Sequence, residues 1–158
     1  MKYLTTLFFV LLSVSLCLAS CGSDPATTRS GGNTNRGQNI KSGNKMKITI
    51  GTKVFTATLN DNATAKAFKA MLPLTLDMKE LNGNEKCFNL SKSLTVNSSN
   101  PGTIQNGDLM IYGSSTLVLF YKSFPTSYSY TKIGRVDNIS GLAEALGSKH
   151  VTVKYELE

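Results

Sequence analysis

From Met46 to the end of the chain, apolar and polar side chains keep changing places at every second position. Met46-Lys47-Ile48-Thr49-Ile50 alternates in this way, and Phe55, Ala57 and Leu59 share one face of a second run. Val151, Val153, Tyr155 and Leu157, interleaved with Thr152, Lys154 and Glu156, form the last. A period of two sends neighbouring side chains to opposite faces of a strand, so each run predicts a strand with one face to bury. Further strand-like runs are Leu74 to Met78, Cys87 to Leu90, Leu109 to Tyr112, Thr116 to Tyr121 and Tyr130 to Val136. Gly113-Ser114-Ser115 joins two of them as a hairpin, and Leu81-Asn82-Gly83-Asn84 reads as a turn.

Two short helices interrupt the strands. Asn60-Asp61-Asn62 offers capping side chains to a helix carrying Phe68, Met71 and Leu72 at i, i+3 and i+4, with Pro73 as its stop. Ser140 caps a second helix with a stripe of Leu142, Ala145 and Leu146, and Gly147 ends it. The expected fold of residues 46–158 is therefore mainly β with two short helices, a small closed or nearly closed β-barrel.

The first 45 residues obey other rules. Residues 1–20 read as an export signal: Lys2, then an apolar stretch from Leu4 to Leu16, then Leu18-Ala19-Ser20-Cys21. That tetrad resembles the lipobox of bacterial lipoprotein signals at all four positions, which implies acylation of Cys21 by groups such as palmitate. Thr5, Thr6, Ser13 and Ser15 dilute the apolar stretch, whereas a membrane span needs about 20 mostly apolar residues. Residues 21–45 are rich in Gly, Ser, Asn and Thr and read as a flexible tether behind the lipid. The expected location is the bacterial cell envelope. Gly22, in place of an Asp after the Cys, points to the outer membrane in a cell that has one.

Charge and cysteines exclude several functions. The net charge is +7, but residues 46–158 hold 12 basic and 9 acidic side chains, and no basic face is concentrated enough for nucleic acid. Cys17 leaves with the signal and Cys21 takes the lipid, so Cys87 has no disulfide partner and no multi-cysteine zinc site is possible. Cys87 reads as a small buried apolar residue. The spacing of residues implies no metal and no cofactor, and there is no phosphate loop or Ser-His-Asp set. His150, beside Lys149 at a strand start, reads as a surface residue.

Several segments resemble a known family. Asn100-Pro101-Gly102-Thr103-Ile104, Gly107-Asp108-Leu109-Met110-Ile111-Tyr112, Leu117-Val118-Leu119-Phe120-Tyr121 and Ile133-Gly134-Arg135-Val136 before the Leu142 helix are similar to the bacterial cyclophilin-like domains. The resemblance implies a small barrel over residues 46–158. Cyclophilin isomerases carry a Phe-His-Arg strand whose Arg stabilises the twisted prolyl amide. The stretch from Leu74 to Leu90 has neither His nor Arg, and the Gln-Phe-Phe segment and Trp of many cyclophilins are missing. These departures point away from an enzyme and toward a binding module for a small ligand or peptide, with a divergent prolyl isomerase as the alternative.

Half of the aromatics in residues 46–158 fall between Phe120 and Tyr130. The expected ligand site is a cleft lined by Tyr112, Phe120, Phe124 and Tyr128. Tyr121 belongs to the same run, and Ser127 and the tyrosine hydroxyls could orient a ligand. A rim of tyrosines capping the barrel fits the same pattern. Arg135 reads either as an anion clamp or as the partner of a surface carboxylate. Asp108, after Gly107, is placed to accept from backbone N–H groups.

Overall fold

The computed structural model describes residues 43–158. The expected signal, the expected lipidation site Cys21 and nearly all of the expected tether lie outside the described residues.

Ten strands and two helices follow in the order β1 (Lys45–Ile50), β2 (Lys53–Leu59), α1 (Ala63–Lys69), β3 (Leu74–Leu81), β4 (Glu85–Asn89), β5 (Thr103–Ile104), β6 (Asp108–Tyr112), β7 (Thr116–Phe120), β8 (Phe124–Pro125), β9 (Tyr130–Val136), α2 (Leu142–Leu146) and β10 (Val151–Leu157). Eight strands close into an antiparallel barrel in the order β1-β10-β3-β4-β7-β6-β9-β2. The first and last strands pair with each other, Met46 opposite Leu157 and Ile50 opposite Val153, so the sheet has no free edge there. The barrel is the mainly β fold with two helices that the alternation predicts.

Alternation decides what fills it. Met46, Ile48 and Ile50 of β1, Ala57 and Leu59 of β2, Met78 of β3, Leu117 and Leu119 of β7, and Val153 and Tyr155 of β10 all point inward and are buried. The Tyr155 hydroxyl reaches Met78 Sδ at 2.9 Å, and the tyrosine ring meets Phe68 of α1 edge-on at 6.2 Å. The topology puts the two helices at opposite ends of the barrel. Asn62 caps α1 by accepting from the Ala65 N–H at 2.8 Å. That helix ends at Lys69, one turn before Pro73, so Met71 and Leu72 lie beyond it and are only partly buried. Ser140 does not cap α2. Gly141 takes the cap position in a left-handed conformation, and Ser140 instead donates its N–H to Asn138. Gly134 of β9 has a simpler reason to be glycine: a Cβ there would stand 2.7 Å from the Thr58 carbonyl oxygen of β2.

One charged side chain lies wholly inside. Lys86 of β4 is 0% exposed. Its ammonium ion-pairs with Glu80 of β3, donates to the carbonyls of Gly147 at 2.8 Å and Lys149 at 2.6 Å, and lies 5.6 Å from the Tyr121 ring centre. Tyr121 donates in turn to Glu80 at 2.7 Å. Burial alone would raise the Glu80 carboxyl, but hydrogen bonds from Lys86 and Tyr121 and the Lys86 charge hold it below its ordinary value. Burial and the bond to Glu80 push the Tyr121 phenol up to about 12. The ammonium ties β4 to the segment between α2 and β10 and so fixes that end of the barrel. Lys86→Ala would take the counter-charge from Glu80 and the donor from two carbonyls, and we expect a loss of about 3 kcal/mol in urea unfolding. Lys47→Ala, which removes an exposed pair with Glu156, should cost about 0.5 kcal/mol or less. Equal losses would contradict the assignment.

Candidate functional site

The strand that sends Lys86 inward sends Glu85 and Cys87 outward. On this outer face Glu85 stands opposite Phe120 and Cys87 opposite Val118, while Met110 and Tyr112 of β6 lie opposite Val118 and Thr116. β5 and β8 pair as a separate two-stranded ribbon, Ile104 opposite Phe124, that packs on this face. Ile104, Met110, Val118, Phe120 and Tyr130 form a second apolar cluster there, with Cys87 and Phe124 against it. The sheet thus carries a full core inside and a smaller one outside.

Beside the ribbon the second cluster opens into a cleft of about 260 Å³. Leu81, Asn82, Glu85, Cys87, Thr116 and Val118 line it, together with Tyr112, Phe124, Tyr128 and Tyr130. The aromatic rings form a continuous file. Tyr128 meets Tyr112 at 6.1 Å, Tyr112 meets Tyr130 at 5.5 Å, Tyr130 meets Phe120 at 5.6 Å, and Phe120 meets Phe124 at 5.8 Å. The file runs from exposed rings, Tyr112 at 45% and Tyr128 at 61%, to the fully buried Phe120.

The residues singled out from sequence divide accordingly. Tyr112, Phe124 and Tyr128 line the cleft, and Phe120 supports it from behind without reaching the opening. Tyr121 is on the other face of the sheet, in the barrel with Lys86. Ser127 is exposed outside the lining, and its carbonyl accepts from Asn100. Arg135 lies on a different part of the surface, 3.9 Å from buried Asp108, whose other oxygen accepts from the Gln105 N–H at 3.0 Å. Cys87 is partly exposed on the cleft wall rather than buried. Burial and the Glu85 charge push its thiol up, so it stays protonated. His150 is exposed. Among the described residues no group of three His, Cys, Asp or Glu could hold a metal ion.

The sequence reading missed Glu85. Only 7% of it is exposed, and among the described residues its carboxyl makes no hydrogen bond or ion pair. Burial, and then the Glu80 charge, push it up to about 7 from an ordinary 4.5. Burial and the Glu85 charge also raise the Tyr130 phenol. The signal was there in principle: with Cys87 on one face of β4, a period of two puts Glu85 on the same face.

With this geometry in place, the comparisons identify the domain. Residues 48–158 match the Cyclophilin-like family. The chain belongs to the Cyclophilin-like family. Its fold is also similar to the solution structure of a hypothetical protein from Archaeoglobus fulgidus, with a TM-score of 0.55 and 15% identity over 74% of this chain and 96% of that one. At that identity the likeness concerns the fold. No curated protein matches the chain. In this Cyclophilin-like domain the cleft therefore has to be read from its own residues.

Glu85 makes a checkable contribution to stability. A carboxyl raised from 4.5 to about 7 favours the protonated fold. That contribution is complete below about pH 4.5 and is lost as pH rises through about 7. Glu85→Gln keeps the shape and removes the charge. It should raise the melting temperature by roughly 5 °C at pH 8 and leave it nearly unchanged at pH 4. The same shift at both pH values would contradict the burial of an unpartnered carboxyl.

Proposed function

We propose that this protein is a lipid-anchored binding module of the cell envelope whose cleft beside the β5–β8 ribbon holds a small ligand or a peptide segment. One observation carries the reading. Tyr112 and Tyr128 stand 45% and 61% exposed on a concave wall, in edge-on and tilted contact with rings that continue into the core. A rim built only to cap the barrel would bury those rings. Here they keep open apolar faces with hydroxyl tips, the composition of a ligand pocket. A prolyl isomerase gains no support from the lining, which holds a carboxyl and, among the described residues, neither Arg nor His.

Anchoring rests on the sequence of residues 1–45. Acyl chains on Cys21 contribute about 0.8 kcal/mol per buried methylene, so two chains hold a protein firmly where one does not. The Gly-, Ser- and Asn-rich segment that follows gives the domain reach from the bilayer, at an outer membrane where the cell has one.

Two experiments test these claims. Indole, a small neutral aromatic, should shift the NMR resonances of the cleft residues. Replacing both Tyr112 and Tyr128 by Ala should weaken its binding about tenfold or more. Absence of cleft shifts would overturn the binding reading. Cys21→Ser should move the protein from the membrane to the soluble fraction or leave an unprocessed precursor. Unchanged mature mass and full membrane retention would refute the anchor.

A further inference from the structure

Glu85 is the feature that a merely apolar pocket would not contain. An unpaired carboxylate with only 7% of its residue exposed is poorly hydrated, and proteins normally offset that cost with a cation or hydrogen bonds. Lys86 is next in the chain, yet the strand period commits it to the barrel interior, where Glu80 and two carbonyls already hold it. Tyr112, Tyr128 and Tyr130 surround the same cleft. Aromatic faces attract cations through their quadrupoles, most strongly where water is excluded. A buried negative group beside three tyrosines is therefore complementary in charge to a positive ligand. A volume of about 260 Å³ suits a small ion rather than a folded partner. The Cys87 thiol on the wall stays neutral and adds no second negative charge.

We propose that the cleft selects a small organic ammonium ion, with Glu85 as its counter-ion and Tyr112, Tyr128 and Tyr130 as its aromatic walls. The inference rests on the binding-module reading and names the ligand chemistry of that site. Neutral apolar ligands would use the walls alone. An ammonium uses both the walls and the carboxylate, and its charge favours the ionised form of Glu85 on binding.

The test compares choline with 3,3-dimethylbutan-1-ol, which has the same shape without the charge. Both are titrated into the full-length protein by NMR at pH 8. Choline should bind at least tenfold tighter than the alcohol. Glu85→Gln should abolish that preference, and wild-type-like dispersion of the barrel-core resonances shows that the variant is folded. Equal affinities in the wild type, or a preference retained by Glu85→Gln, would overturn the inference. If indole still shifts the cleft resonances in either of those cases, the binding-module reading survives without it. If indole, choline and the alcohol all leave the cleft unperturbed, both fall. Phosphatidylcholine vesicles distinguish the source of the ammonium. Competition with choline assigns a lipid headgroup, and lack of competition assigns a free small molecule.

Discussion

The buried Lys86 ammonium fixes more of this structure than any other single group. It is held by a carboxylate, two backbone carbonyls and a tyrosine ring, and no exposed position could offer it that set. β4 is only five residues long and pairs with β3 on one side and β7 on the other. A slip of one residue would drive Glu85 and Cys87 into the barrel and expel Lys86. The inward lysine therefore sets the outward face, and the outward face is the wall of the cleft. Structure and site are linked through a single strand register.

That link explains how a small domain can keep a carboxyl in an apolar cleft. The main core lies within the barrel and draws on nearly every strand. The second cluster draws on the outer faces of β4, β6, β7 and β9 and a two-stranded ribbon that covers them. The aromatic file joins the two requirements: Phe120 and Tyr130 pack the cluster, while Tyr112 and Tyr128 extend it into the open.

Most of the fold was legible because period-two alternation is a strong signal when one face is buried. β1, β2 and β10 emerge directly from it, and Asn62 announces its helix through its capping side chain. The site was legible only in part. Tyr112, Phe124 and Tyr128 could be gathered because aromatics cluster in sequence, but clustering does not tell which face each one takes. Tyr121 follows Phe120 directly and so belongs to the opposite side of the sheet. Arg135 is separated from the cleft because it faces Asp108. Glu85 and Lys86 stayed hidden because adjacent opposite charges after a turn look like solvated surface. Their meaning appears only when the partners from β3, β7 and the end of α2 come together around them.

The central claim is that β4 holds the Glu85 carboxyl, unpartnered and only 7% exposed, in the wall of the cleft. The most direct measurement is the pH titration of that carboxyl by carbon-detected NMR in the folded protein. A midpoint near 7 is the expected result. A midpoint near 4.5, the ordinary value of a solvated glutamate, would show that the side chain lies in water and that the cleft is not built around it.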